Sequence, residues 1–406
     1  MTGYQNSDRI FSKIFFKEGR DSIEKGFKKS KRLALTFTHF SIQEVRVMSS
    51  YDENSIWAGL KKRGVTRRDF LRFCTLTAAT LALPSGLIPK IVEALEKKQR
   101  PYVVWLEFQD CAGDSESMLR ASKPTIAQIV LDVISLDYHE TIMAPSGKQA
   151  EKSLMDVVKN QKGKYITIVE GAIPLNDGGV YCCVGGRTAI DIAKEVCGNA
   201  ALTINVGSCA SWGGIPSAKP NPTGAVGVGQ AVPGITYVNI PGCPMNVENL
   251  TATIVHFLTF GSLPPLDANH RPLFAYGKRI HDNCERRAHF DAGQFVRKWG
   301  DEGHRLGWCL YEMGCKGPMA YFNCPSIRWN GGTSWPVQAG HGCIACAADH
   351  NWDLAAPFYK RLPKVPGFGI ETTADKIGLG LAAAAAAGVA AHAIAGSMKK
   401  KKEEKE

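Results

Sequence analysis

A parallel, doubly wound α/β sheet is the fold that the centre of this chain predicts, and three observations predict it. Short β-branched and aromatic runs alternate with longer stretches of helical period. The turns between them are rich in glycine. Cysteines fall just beyond three of the runs, at the end of the sheet where open α/β folds collect their ligands.

Residues 102–108, 126–134, 165–169, 202–206 and 235–240 read as strands. Residues 153–161, 188–196 and 247–260 read as helices between or after them. Strand and helix in alternation imply parallel pairing. Cys111 follows the first run, Cys209 the fourth and Cys243 the fifth. Three thiols at neighbouring strand ends make one site. Gly113, Gly207 and Gly242 beside them let backbone approach a bulky inorganic core.

After residue 271 the strand pattern stops, and Gly, Pro and Cys become frequent. His281 and Cys284 stand as H-x2-C; Cys309, Cys315 and Cys324 follow, then Cys343 and Cys346 as C-x2-C. Thiolate sulfur and imidazole nitrogen suit zinc, copper(I) or iron–sulfur iron better than hard cations. Seven donors divide into a four-donor Cys3His set and a three-thiolate set. Structural zinc explains the first set but neither the second nor the thiols at the strand ends. A zinc reading would make the chain a membrane-tethered binding module.

Charge says what the ends do. The net charge is +11, and residues 1–72 carry +8 of it and residues 399–406 another +2. The body is therefore nearly neutral, which excludes a nucleic-acid face. The 13 cysteines do not space like a small disulfide scaffold. Thr66-Arg67-Arg68-Asp69-Phe70-Leu71, followed by the apolar residues 73–88, reads as a twin-arginine export signal. Ala82, Ser85 and Gly86 lie near plausible cleavage positions, and Met48 is an alternative start to Met1. Residues 377–398 hold no charged side chain apart from His392, and lysines fill 399–402. This predicts a transmembrane helix with a cytoplasmic end. The expected division is 1–99 extension and signal, 100–270 sheet domain, 271–364 cluster domain, 365–376 linker, 377–398 anchor and 399–406 basic tail.

Taken together, these residues resemble the small subunit of a membrane-bound nickel–iron uptake hydrogenase. The resemblance rests on Trp105-Leu106-Glu107 with Cys111, Ser115-Glu116-Ser117, the 207–216 and 241–244 segments, His281-Asp282 with Cys284, Gly307-Trp308-Cys309, Gly314–Pro318 and Trp335–His341. It implies a flavodoxin-like domain followed by an irregular iron–sulfur domain. It implies electron transfer from a nickel–iron centre, held by a separate large subunit, through two [4Fe–4S] clusters and one [3Fe–4S] cluster. Neither a catalytic residue nor nickel is expected in this chain.

Carried over by position, the resemblance gives Cys111, Cys209 and Cys243 to a proximal cluster, with Asp114 where the family has a fourth cysteine. That departure implies a 3Cys-1Asp cluster. His281, Cys284, Cys309 and Cys315 would hold the distal cluster, and Cys324, Cys343 and Cys346 the medial one. Pro336 stands where a fourth medial cysteine could occur. Cys182 and Cys183 are possible neighbours of the proximal cluster; Cys74 and Cys197 read as plain apolar residues. His392 reads either as a neighbour of haem in a partner cytochrome b or as an interfacial residue. The implied setting is the extracytoplasmic side of the cell membrane, with a cytochrome b or other quinone-linked acceptor. The other redox reading is the iron–sulfur subunit of another quinone-linked respiratory complex.

Overall fold

The computed structural model describes residues 53–122, 125–362 and 381–393. Five strands form one parallel sheet: β1 (Tyr102–Glu107), β2 (Ser135–His139), β3 (Ile166–Glu170), β4 (Leu202–Val206) and β5 (Tyr237–Ile240). Their order is β2-β1-β3-β4-β5, all pairs parallel. The chain reverses its direction of growth at β1/β3, so a crevice opens there at the carboxyl ends.

The side-chain period of two explains why both faces are covered. Val103 and Trp105 of β1 enter one apolar core with Ile166, Ile168, Leu202 and Ile204. Val104 and Leu106 enter the other with Val169. Helices α5 (Lys148–Asn160) and α6 (Ala189–Gly198) cover this second face through Leu154, Val157, Ile192 and Val196. The first face is covered by α8 (Val247–Phe260) and by three helices upstream of the sheet.

Those upstream helices are α1 (Ile56–Lys62), α2 (Arg67–Thr80) and α3 (Ile88–Lys97). The twin-arginine segment is α2, with Thr66 as its N-cap accepting from Asp69 N. Phe70, Cys74, Thr77 and Ala78 point inward at helical spacing. Trp57, Phe70, Ile91 and Leu95 belong to the same core as Trp105 and Ile168. The segment expected to precede the body thus packs as part of it.

The expected strand at 126–134 is a correction. Thr125 and Gln128 close a capping box, and the chain runs through a short helix (Ile126–Gln128) into a π turn (Ile129–Val133). Buried Asp132 then meets Arg63 of the residue stretch after α1 at 2.9 Å. The apolar run is a helical turn because its polar members need those partners; the strand begins at Ser135.

Between α8 and residue 362 no described helix exceeds five residues, and no named strand occurs. This stretch has its own core, including Tyr276, Ile280, Val296, Leu310, Phe322, Trp335 and Val337. Tyr276 Oη donates to Pro241 O at 2.7 Å, and the amides of Asn249 and Asn323 bond each other at 3.1 and 2.9 Å. These contacts fix the loops to the carboxyl end of the sheet.

Residues 381–393 are helical. Among the described residues no helix is long and apolar enough to cross a membrane. The expected anchor at 377–398 extends outside the described residues, as do the linker at 365–376, the tail at 399–406 and the region of Met1 and Met48.

Candidate metal centres

The first donor set is built by strand ends. Cys111 lies just past β1, and α4 (Gly113–Leu119) opens immediately after it. Asp114 is drawn inward rather than solvated. Its N–H donates to Glu170 Oε1 at 2.8 Å, and its Oδ1 accepts from Met245 N at 2.5 Å. Glu170 also accepts from Ser115 N at 2.9 Å and Trp105 Nε1 at 3.2 Å. One buried carboxylate at the end of β3 therefore fixes the first turn of α4.

Cys209 sits in α7 (Gly207–Trp212), directly after β4. Gly207 has φ +76°, and a Cβ there would collide with the Asp114 carboxylate. At Gly214 a Cβ would stand 2.5 Å from Cys209 Sγ. Cys243 follows β5. Burial pushes the Cys209 and Cys243 thiols up to about 12, with added repulsion from each other's surroundings, Asp114 and Cys111 among them. Burial, then Glu170, holds the Asp114 carboxyl well above its ordinary range. The structure thus brings Cys111, Asp114, Cys209 and Cys243 together.

His281, Cys284, Cys309 and Cys315 wall one cavity in the loop half, beside Arg286 and Tyr311. Phe290 meets the His281 ring edge-on at 4.6 Å. Burial lowers His281 to about 4, so its imidazole is neutral and able to ligate. Arg286 N donates to Cys284 Sγ at 3.4 Å.

Cys324, Cys343 and Cys346 form the third group. Burial pushes all three thiols up; Cys346 adds to this at Cys324, Cys315 and then Cys346 at Cys343, and Asp114 at Cys346. Ala345 N donates to Cys343 Sγ at 3.3 Å. The groups adjoin. Cys343 N donates to Cys315 Sγ at 3.2 Å, and Ser208 Oγ, next to Cys209, donates to Cys346 O.

Among the described residues no three of these side chains converge on one point as ligands of a single ion do. The donor chemistry suits iron–sulfur cores: nine thiols, one imidazole and one carboxylate, with backbone N–H groups aimed at sulfur. Buried thiols of this kind ionise only against a strongly positive partner.

Cys182 lies near Glu140, Asp110 and Cys183, while Cys183 Sγ donates to Val180 O at 3.6 Å. Cys74 and Cys197 are buried in the two apolar cores. Arg67 pairs with Glu96 of α3 and lies 5.3 Å from the Trp57 ring centroid; Arg68 is exposed. The sequence reading missed Glu170, Ser208, Lys316 and His139 as parts of these surroundings. Ser115-Glu116-Ser117 and Gly314–Pro318 were the available signals, but their partners lie far along the chain.

Fold and donor sets define a class: an α/β redox subunit with soft donors on strand ends and on a strandless second half. The chain belongs to the small subunits of nickel–iron uptake hydrogenases. Residues 276–359 match the C-terminal region of the NiFe/NiFeSe hydrogenase small subunit. Residues 111–257 match the 20 kDa subunit of NADH ubiquinone oxidoreductase. The uptake hydrogenase small subunit of Azotobacter vinelandii is 48% identical over 341 residues, 84% of this chain and 95% of that one. The hydrogenase-1 small chain of Citrobacter freundii is 42% identical over 86% of this chain and 93% of its own length. The H2-activated [NiFeSe]-hydrogenase of Dm. baculatum superposes with a TM-score of 0.62 at 33% identity, over 65% of this chain and 100% of that one. The protein is thus the electron-transfer small subunit of a nickel–iron uptake hydrogenase. The C-terminal match separates it from other quinone-linked respiratory subunits.

Proposed function

We propose that the chain carries three iron–sulfur centres: a 3Cys-1Asp proximal [4Fe–4S] cluster on Cys111, Asp114, Cys209 and Cys243, a medial [3Fe–4S] cluster on Cys324, Cys343 and Cys346, and a distal [4Fe–4S] cluster on His281, Cys284, Cys309 and Cys315. When bound, such clusters supply one-electron carriers. The observation that carries this reading is the adjacency of the three groups through Ser208–Cys346 and Cys343–Cys315. The residues orient their donors, bury those of the loop half more deeply than the exposed Cys111 and Cys243, and aim N–H groups at sulfur, which tunes potential.

Asp114 is proposed as a ligand because it is buried, held by Met245 N and adjacent to the thiols. A carboxylate is a harder donor than thiolate and shifts the potential of the core. The partner is the large subunit with the nickel–iron centre. Exposed Ile215, whose backbone bonds Cys209, offers it an apolar contact. We place the clusters outside the cytoplasm, after twin-arginine export, with the 377–398 anchor leading electrons to a cytochrome b or other quinone-linked acceptor. His392 is read there as interfacial.

The test is iron, nickel and zinc analysis with electron paramagnetic resonance on the purified complex. About eleven irons per small subunit and a three-iron signal when oxidised are expected. Zinc with little iron would overturn the reading.

A further inference from the structure

Lys316 is 2% exposed and lies where the second and third donor groups meet. Its N–H donates to Cys343 O at 2.7 Å, and Cys343 N donates to Cys315 Sγ at 3.2 Å. Its ammonium donates to the carbonyls of Pro357, at 3.5 Å, and Lys360. Among the described residues no carboxylate lies within ion-pair distance of it. Lys316 follows Cys315 directly in the chain and its N–H bonds Cys343, so a donor of each group flanks it.

A buried ammonium facing only carbonyl oxygens is poorly compensated. Thiolate-ligated iron–sulfur cores carry net negative charge and would compensate it. We propose that Lys316 is a positioning residue whose fixed charge raises the reduction potential of both centres in the loop half; this rests on the ligand sets given above. Each centre gains one electron on reduction and so becomes more negative. A fixed cation beside both therefore favours both reduced forms. The strand-end centre is not in contact with Lys316 and is affected least. The same bonds to Pro357 and Lys360 also hold the C-terminal end of the loop half in place.

The test is a redox titration followed by electron paramagnetic resonance on the intact complex carrying Lys316→Gln, Lys316→Met or Lys316→Arg. Glutamine keeps a donor for the two carbonyls without the charge. The expected result is a downward shift of both loop-half potentials in Gln and Met, with Arg close to the parent. Iron loss in Gln and Met with retention in Arg also supports the charge role. Unchanged potentials in an iron-replete Gln variant overturn it, as does iron loss in all three, which would leave only an anchoring role. Missing iron signals in the parent complex would instead sink the ligand assignment itself.

Discussion

Along β1, Val103 and Trp105 bury one face of the sheet and Val104 and Leu106 the other, whereas from Leu273 to Leu354 the chain makes only turns of four or five residues. The sheet half repeats a simple rule: alternate side chains, two apolar layers and backbone bonds satisfied by neighbouring strands. The loop half has a small core in which Cys324 and Cys343 sit among Tyr276, Phe322 and Trp335. Residues that would be metal donors occupy places where a sheet would have Val or Ile. The first half should hold itself together, and the second is expected to depend on what its sulfurs bind.

The strongest way to break this comparison is to remove iron. In an iron-depleted complex, amide exchange across residues 273–354 should accelerate by at least about a factor of 100, while β1, β3 and β4 change little. Hydrogen–deuterium exchange with mass spectrometry reads both halves at once. Equal loss of protection in the two halves would show that the sheet also depends on the clusters. Cys343→Ala should reproduce the loop-half effect, since that sulfur accepts Ala345 N and its own N–H reaches Cys315 Sγ.

A core truncation should behave in the opposite way. Leu95→Ala on α3 removes a fully buried side chain from the sheet's first core and should destabilise by ~2–5 kcal/mol, independent of iron. Denaturant unfolding of loaded and depleted protein checks it. An effect near zero would mean that α1–α3 are not part of the folded body in solution.

What the sequence shows and hides follows the same division. Four strands and the helix at 247–260 were legible because period-two and 3.6-residue patterns are local. The strand ends carrying Cys111, Cys209 and Cys243 were legible with them. The run at 126–134 misled, because its apolar residues suit a strand while the Thr125–Gln128 cap and the Asp132–Arg63 pair make it helical. The burial of Asp114 was not legible: it needs Met245, 131 residues on, and a glycine at 207. Nor was the Ser208–Cys346 bond, which spans 138 residues. Donor types can be read from a line of text; how the groups adjoin is a property of the closed fold.

The join between the halves gives a smaller effect. Asn249 and Asn323 exchange two amide bonds, and Asn249 is fully buried. Asn249→Ala leaves Asn323 without that partner and should destabilise by about 1–3 kcal/mol. Adding Asn323→Ala should then have less effect than it has alone, because the pair acts as a unit. A double-mutant cycle in urea would measure that coupling. Full additivity would mean that each amide is satisfied elsewhere, and the join would have to be sought at Tyr276 and Ser208.

The smallest effect expected is at the ion pair of the twin-arginine helix. Arg67 pairs with Glu96, but its side chain is 40% exposed against 10% for Glu96. Solvent screens such a pair, so Glu96→Gln should change stability by only ~0.5 kcal/mol. The helix is held mainly by Phe70, which is fully buried and 4.5 Å from the Trp57 ring. Phe70→Ala should therefore be several times more damaging than Glu96→Gln, by ~3–5 kcal/mol. Thermal unfolding of both variants ranks them. The reverse order would mean that charge, not apolar burial, fixes the segment to the sheet, and would make α2 resemble the loop half in needing polar partners to stay folded.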